Sequence, residues 1–137
     1  MAPFGQLCVG DVMTLDPVVV RVDDTIEVAE TLLARYRISG LPVVDEAGQL
    51  VGVISRTDLL GSGTGPIHAL VRANHGTLRV GELMSSPAVT VPLTSRVTEA
   101  ARVMRDELIH RVVAIDDDGC PIGVLSASDF VSLVADT

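Results

Sequence analysis

The sequence predicts an α/β (α+β) fold in which one β-α-β-β-α unit occurs twice. Residues 7–60 align with the chain from residue 78 onward at a constant offset and without a gap, so that Leu7 falls on Leu78 and Asp58 on Asp129. Apolar residues form 47% of the chain and aromatic residues only 2%. This composition is typical of aliphatic strands that are covered by helices.

The repeat is clearest in its small, hydroxyl and acidic residues. The same offset pairs Gly52 with Gly123 and Ser55 with Ser126. Chance rarely preserves such spacing, whereas duplication does. We assign residues 7–60 to repeat 1 and residues 78–135 to repeat 2. The linker at 61–77 begins with a Gly- and Ser-rich stretch and can contain a short helix.

Each repeat opens with a short turn and a β-branched run. The turns span 9–13 and 80–84, and the runs at 18–22 and 88–91 predict first strands. A helix is predicted after each run, because apolar residues recur there at helical spacing. These positions are Ile26, Ala29, Leu32 and Leu33 in repeat 1 and Val97, Ala100, Val103 and Met104 in repeat 2.

Two further apolar runs in each repeat predict a β-hairpin that leads into a second helix. The runs span 41–44 and 50–54 in repeat 1, and 112–115 and 122–125 in repeat 2, with an acidic, glycine-containing turn inside each pair. Hydroxyl residues and an Asp follow each hairpin and favour the start of a helix. Such strand-to-helix junctions are natural ligand-binding corners.

Composition and charge argue against several classes of function. A chain of 137 residues is too small for an enzyme domain plus a regulator. A net charge of −8, with ten basic residues that are all Arg and scattered, disfavours nucleic acid as the main partner. Cys8 and Cys120 lack metal-ligand spacing, so no metal or other cofactor is expected. Without an apolar span or a signal-like start, the chain is expected to be cytoplasmic and to have no membrane partner.

Four stretches resemble the cystathionine-β-synthase (CBS) domain family, and the resemblance covers nearly the whole chain. They are 38–45 with 52–58, and 109–116 with 123–129. The likeness identifies the chain as a stand-alone tandem CBS pair, or Bateman module. It implies two repeats about a pseudo-twofold axis, with sheets face to face, helices outside and two clefts. It also implies a homodimer, and a regulatory ligand such as AMP, ADP, ATP, S-adenosylmethionine or a cyclic dinucleotide.

The resemblance assigns ribose binding to Asp58 and Asp129. A fixed carboxylate at the edge of a cleft can accept hydrogen bonds from both ribose hydroxyls. The structural alternative is that each Asp only supports a helix start, where negative charge contributes roughly 0.3–1 kcal/mol. Because the hydroxyl residues recur with both Asp residues, we favour the ribose interpretation.

The phosphate and ribose side is expected to differ between the repeats. His110-Arg111 is similar to a His-Arg pair that contacts ligand phosphates in a nucleotide-sensing kinase subunit of the family, and Arg suits phosphate geometry. Repeat 1 carries Ser39-Gly40 at this position. The remaining candidates on this side are Ser126, Ser128, Arg56 and Thr57. The difference predicts two unequal sites.

The adenine side of each cleft is expected to come from the repeat that does not supply its Asp. In the kinase subunit, adenine is contacted largely by backbone groups. By this likeness, the cleft that contains Asp129 is also lined by Val19, Val20, Arg21, Ser39, Gly40 and Leu41. Asp58 joins Val89, Thr90, Val91 and Ile109.

Other classes of function fit the residues less well. A hydrolase with Ser126 or Ser128 as nucleophile and His110 as base lacks the Gly-x-Ser-x-Gly elbow, and no Walker-type loop is present. We therefore expect no enzyme activity. Acidity argues against an RNA-binding protein. The main alternative is a ligand-free interaction scaffold of the same fold, in which each Asp only caps a helix; the regulated partner protein is not identified by the sequence.

Overall fold

The computed structural model describes residues 6–60, 73 and 78–136, so the predicted linker at 61–77 lies outside the described residues except for residue 73. The elements of the first half, in chain order, are α1 (Val9–Val12), β1 (Thr14–Leu15), β2 (Val20–Arg21), α2 (Ile26–Tyr36), β3 (Gly40–Val44), β4 (Leu50–Ser55) and α3 (Arg56–Leu60). The second half contains α4 (Val80–Leu83), α5 (Val97–Glu107), β5 (Arg111–Ile115), β6 (Pro121–Ser126) and α6 (Ala127–Ala135). The predicted mixed α/β class is confirmed.

The chain packs as two compact units that cross the boundaries of the sequence repeats. Unit 1 consists of Met1–Pro17 with Val89–Thr137, and unit 2 is Val18–Ala88. The opening segment of repeat 1 therefore packs with the hairpin of repeat 2. The opening segment of repeat 2 likewise packs with the hairpin of repeat 1. Each unit thus needs sequence from both repeats to complete its core.

The two sheets share one pattern. In unit 2 the strand order is β2-β3-β4, with β2 parallel and β4 antiparallel to β3. In unit 1 the order is β1-β6-β5, with both pairs antiparallel. The element of unit 2 that is equivalent to β1 is a single antiparallel bridge between Ser85 and Val53. The element of unit 1 that is equivalent to β2 is a single parallel bridge between Thr90 and Val113.

The exchanged segments contribute buried side chains to each core. Val80 of α4 is fully buried in the core of unit 2, which also contains Ile26, Leu41 and Ile54. In unit 1, Val9 of α1 is buried in the same way. Both cores consist of aliphatic and Met side chains, as the composition predicts. The apolar residues of these short helices therefore belong to the core of the neighbouring hairpin.

Glycines on the second hairpin strand let an exchanged Met pack against the sheet. A Cβ atom on Gly52 would lie 2.8 Å from the Met84 sulfur and 2.7 Å from the Ser85 carbonyl oxygen. A Cβ atom on Gly123 would collide with the sulfur of Met13. Only glycine leaves room at both positions, which explains why the repeat keeps Gly here.

The acidic hairpin turns are built identically in both repeats. Oδ1 of Asp45 accepts hydrogen bonds from the amides of Ala47 and Gln49 at 3.0 and 2.9 Å. Asp116 makes the equivalent pair of bonds in repeat 2. Gly48 and Gly119 both have φ of 85°, a left-handed conformation that favours glycine. The turns fix the hairpin register that delivers the next helix.

The first strands are shorter than the sequence predicts. Strand β2 covers only Val20–Arg21 of the predicted 18–22, and 88–91 makes only the bridge at Thr90. Hydrogen bonds nevertheless join Val89 and Val91 to Val113, at 3.1 and 3.0 Å. The run therefore lies parallel to β5 and makes one pair of parallel-sheet hydrogen bonds with it. Its Val side chains pack in or against the core of unit 1, although the run forms only one bridge of strand pairing.

Candidate functional site

An Asp and two hydroxyls lie at the start of each helix that follows a hairpin. In unit 2, Oδ2 of Asp58 accepts hydrogen bonds from the amide and the hydroxyl of Ser55, at 2.8 and 2.9 Å. The Thr57 hydroxyl lies 2.9 Å from that of Ser55. Because the Ser55 proton is directed at the carboxylate, Thr57 is the donor between the two hydroxyls.

The same cluster recurs in unit 1. Oδ2 of Asp129 accepts bonds from the Ser126 amide at 2.7 Å and the Ser126 hydroxyl at 3.1 Å. The hydroxyls of Ser126 and Ser128 lie 2.8 Å apart. In both units Asp sits in the first turn of its helix, where its charge also favours the helix. The helix-start interpretation of these residues is therefore realised in the structure.

The second carboxylate oxygen of each Asp is not used by this capping arrangement. Among the residues that the structure describes, no hydrogen bond ends on Oδ1 of Asp58 or Asp129. Both side chains are half-buried, while Thr57 and Ser128 are exposed. Each corner thus combines a fixed carboxylate that has an open acceptor with a neighbouring hydroxyl that can turn towards a ligand.

Ser55 belongs to this cluster but was not among the predicted site residues. Its equivalent in repeat 2, Ser126, was included because it resembles a family ligand residue. The Ser55 hydroxyl contacts both Asp58 and Thr57, so it has the same place in unit 2. The constant offset of the repeat contained the signal that would have identified it.

His110 and Arg111 lie at the same end of the unit 1 hairpin as Asp129. The His110 carbonyl accepts a hydrogen bond from the Ala127 amide at 2.8 Å, and Arg111 pairs with Ser126 in the sheet register. His110 is exposed and Arg111 half-buried. Two basic side chains therefore start close to the Asp129 corner.

The corresponding position in unit 2 carries no basic side chain. The Ser39 carbonyl accepts the Arg56 amide at 2.9 Å, and Gly40 pairs with Ser55. The Arg56 guanidinium is directed elsewhere, since its Nη2 donates to the Ile38 carbonyl at 3.4 Å. Arg56 also lines a cavity with residues of α2. The two corners thus have different basic residues around them, and that they form unequal sites stays a prediction.

Several predicted adenine-side residues are buried, which limits what they can offer a ligand. The side chains of Leu41, Val20 and Val91 are in the cores of their units. Only their backbone groups are left for a ligand, in keeping with the expected backbone contacts. Val19, Val89 and Ile109 are half-buried, while Arg21, Ser39 and Thr90 are exposed.

Each unit by itself brings together part of the predicted site. Unit 1 contains Asp129, Ser126, Ser128, His110, Arg111, Ile109 and Val89 to Val91. Unit 2 contains Asp58, Arg56, Thr57, Val19 to Arg21 and Ser39 to Leu41. Each predicted cleft draws on both units, so the joining of Asp129 with Ser39 and of Asp58 with Thr90 stays a prediction.

The described residues form no metal-binding group and no membrane-spanning helix. Within residues 6–60, 73 and 78–136, no three His, Cys, Asp or Glu side chains are grouped to hold a metal ion. No helix within these ranges is both long and apolar enough to cross a bilayer.

Comparison with known proteins gives a consistent result at the level of family. The CBS domain family model matches residues 9–64 and 80–136. The inosine-5′-monophosphate dehydrogenase of Mycobacterium tuberculosis strain H37Rv is 32% identical over 120 residues, which cover 87% of this chain. This chain spans only 21% of that dehydrogenase.

Solved structures of CBS pairs match nearly the whole chain. CBSX2 from Arabidopsis thaliana in complex with AMP is 31% identical, with a TM-score of 0.77 over 94% of this chain and 96% of that chain. The CBS domain pair of protein MJ0100 was solved with methylthioadenosine and S-adenosyl-L-methionine. It is 26% identical, with a TM-score of 0.79 over 94% of this chain and 96% of that chain.

Proposed function

This chain belongs to the CBS domain family, and on that premise we propose that it is a regulatory module that binds an adenine nucleotide or a related adenosyl ligand. The single observation that carries the proposal is the duplicated Asp corner. At both corners one carboxylate oxygen is fixed by Ser, and the other accepts no hydrogen bond from the described residues and lies beside an exposed hydroxyl. Two adjacent ribose hydroxyls are a natural pair of donors for such a group.

A helix cap alone requires less than these corners contain. A capping box needs only the carboxylate on the Ser amide and the Ser hydroxyl on the Asp amide, and both corners have this pair of contacts. The additional contacts between the two hydroxyls hold Ser55 and Ser126 in place without burying Asp58 or Asp129. The likeness to CBSX2 with AMP, and to MJ0100 with adenosyl ligands, supports a ligand of this class.

We further propose that the two corners bind ligands unequally. His110 and Arg111 give the Asp129 corner the groups that suit a phosphate. Thr57 and Ser39 are neutral at the Asp58 corner, and Arg56 is engaged with Ile38. The Asp129 corner is therefore the better site for AMP, ADP or ATP.

The complete clefts follow from the same proposal. The adenine of the ligand at Asp129 would lie against the backbone of 19–21 and 39–41, and that at Asp58 against 89–91 and Ile109. Occupancy would favour one arrangement of the repeats and so shift a population. A cytoplasmic location, a homodimer and a regulated partner protein complete the proposal.

Isothermal titration calorimetry of the wild-type chain tests the proposal directly. The titrants are AMP, ADP, ATP, S-adenosylmethionine, methylthioadenosine and a cyclic dinucleotide, with guanosine monophosphate as the matched control for the base. We expect saturable binding of at least one adenosyl ligand. Absence of binding by all of them would overturn the proposal.

The alternative function is the ligand-free interaction scaffold. The observation that favours it is the capping use of both Asp residues, which is complete without a ligand. A ligand that binds only the native state stabilises it by RT ln(1 + L/Kd), where L is the free ligand concentration, so the melting temperature rises with the logarithm of that concentration once it exceeds the Kd. A melting temperature that is the same with and without every titrant would therefore support the scaffold.

A further inference from the structure

The opening segment of repeat 2 is hydrogen-bonded to β4 of unit 2 at its C-terminal end. Ser85 and Val53 exchange two backbone hydrogen bonds, of 2.9 and 3.0 Å. The Ser86 hydroxyl donates to the Val51 carbonyl at 2.8 Å. These bonds reach β4 on both sides of residue 52, so the attachment is centred on that position.

The side chain of Met84 covers this central position. A Cβ atom on Gly52 would lie only 2.8 Å from the Met84 sulfur, so the sulfur occupies the space that a side chain on Gly52 would need. The Met84 amide donates to the Val80 carbonyl at 2.9 Å, where α4 ends. A chemical change at the Met84 sulfur therefore acts on α4 and β4 together.

Met84 is the most accessible of the methionines that the structure describes. Met13 and Met104 are buried, each with 7% of its surface exposed, whereas Met84 is half-buried. Peroxides oxidise the thioether sulfur of methionine to a sulfoxide. Because the oxidant must reach the sulfur, we expect oxidation at Met84 before either buried methionine.

Met13 makes the equivalent contact in unit 1 but is better protected. Its sulfur lies against Gly123. The two residues that follow it, Thr14 and Leu15, both pair with β6, whereas Ser85 forms only a single bridge in unit 2. Greater burial and longer strand pairing distinguish Met13 from Met84. The two repeats thus provide the same contact at two levels of accessibility.

We propose that Met84 is an oxidation site at which a peroxide releases the opening segment of repeat 2 from β4. Hydrogen peroxide transfers one oxygen atom to the Met84 sulfur, so that an S–O bond forms and the O–O bond breaks. The sulfur loses two electrons, and the second peroxide oxygen leaves as water with both hydrogens. The product is a polar sulfoxide in place of an apolar thioether.

The sulfoxide of Met84 is incompatible with the observed packing. The core cluster against which Met84 packs consists of aliphatic side chains, which offer no hydrogen-bond donor. A polar oxygen buried without a donor is unfavourable, so the side chain turns towards solvent and uncovers Gly52. The bonds between Ser85 and Val53 then open more often. The inference concerns the packing of unit 2 and does not depend on ligand binding.

Peptide mass spectrometry of the full chain after graded exposure to hydrogen peroxide tests the site. Dithiothreitol is added before digestion, because it reverses disulfides and sulfenic acids of Cys8 and Cys120 but leaves methionine sulfoxide. We expect the sulfoxide to form about tenfold faster at Met84 than at Met13 or Met104, since accessibility controls the reaction. Oxidation of Met13 or Met104 at the same rate as Met84, or faster, would overturn the proposal.

Amide hydrogen exchange of the oxidised wild-type chain tests the release of the segment. Exchange at Ser85 and Val53 is expected to accelerate about tenfold, because local opening exposes both amides. Amides of β6 in unit 1 should keep their rates. Treatment with a methionine sulfoxide reductase, with dithiothreitol as its reductant, should restore slow exchange. Met84 sulfoxide without faster exchange at Ser85 would overturn the proposal.

Two variants separate Met84 from the other oxidisable side chains. Met84→Leu lacks the sulfur, so peroxide should not change its exchange at Ser85 and Val53. Met13→Leu is the matched control and should respond to peroxide as the wild type does. The same acceleration in Met84→Leu as in the wild type would contradict the proposal. Because the wild-type measurements need no variant, they decide the question even if Met84→Leu does not fold.

Discussion

At the scale of single residues, the two oxygens of each Asp carboxylate have different roles: one belongs to the helix cap, and we assign the other to the ligand. Oδ2 of Asp129 is 2.7 Å from the Ser126 amide, which satisfies a donor that the helix itself leaves unpaired. Oδ1 accepts no hydrogen bond from the described residues. Loss of the side chain should therefore reduce both stability and ligand affinity, and the two effects can be measured separately.

We predict that Asp129→Ala weakens adenine nucleotide binding more than Asp58→Ala. The Asp129 corner has His110 and Arg111 nearby, so it should hold most of the nucleotide under dilute conditions. A loss of at least tenfold in affinity, about 1.4 kcal/mol, is expected for Asp129→Ala by calorimetry with AMP. Melting curves of both variants provide the control, since each should lose a similar helix cap of roughly 0.5–2 kcal/mol. Equal losses of affinity would contradict the assignment.

We predict that Arg111→Ala and His110→Ala weaken AMP binding but spare adenosine binding. A hydrogen bond to a charged group contributes roughly 1.5–3 kcal/mol, so the loss for AMP should be about tenfold or more. Arg105→Ala is a matched control, because that exposed Arg pairs with Asp106 at 2.9 Å on the adjacent helix. If adenosine and AMP lose affinity to the same extent, these residues do not read the phosphate.

At the scale of elements, the secondary structure that depends on local sequence was predicted correctly. The hairpins and the helices over Ile26 and Val97 follow from periodicity and turn residues, and all of them are present. The strand at Thr14–Leu15 was missed, because two residues carry no readable alternation and their pairing with β6 is long-range. The first strands were predicted too long for the same reason, since β propensity reports burial as much as strand pairing.

The glycine turns yield a stability prediction. Gly119 has φ of 85°, where a Cβ atom is unfavourable. Gly119→Ala should therefore lower the free energy of unfolding by about 1 kcal/mol, whereas Gly119→Asn should cost less because Asn tolerates this conformation. Chemical denaturation of the two variants measures the difference. Equal stability of Gly119→Ala and the wild type would show that the turn adopts another conformation.

The exchanged helices yield a second prediction at this scale. Val80 belongs to repeat 2 by sequence but is buried in unit 2 with Ile26 and Ile54. Val80→Ala should destabilise unit 2 by roughly 2 kcal/mol, from two lost methyl groups and the cavity they leave. Hydrogen exchange should then accelerate in β3 and β4 more than in β5 and β6. Val28→Ala, at an exposed position, is the control. Faster hydrogen exchange confined to β5 and β6 would show that Val80 does not pack in unit 2.

At the scale of the whole molecule, duplication explains both what the sequence predicted and what it did not. The repeat and its family likeness were enough to identify the CBS pair, because Gly, Asp and hydroxyl residues recur at one offset. The composition of the packing units was not readable, because an exchanged helix has the same local sequence pattern as one that packs within its own repeat. Ser55 was overlooked at the site, although its equivalent Ser126 was named. The ligand stays a proposal, because adenine is expected to contact backbone groups that carry no side-chain signature.

The most direct measurement of the central claim is an amide NMR titration of the wild-type chain with AMP. Our account predicts that amide signals of Ser126 to Asp129 and of His110 and Arg111 shift first, and that those of Ser55 to Asp58 shift at higher concentration. Guanosine monophosphate under the same conditions is the control. Saturating AMP that leaves both Asp corners unshifted would contradict the account.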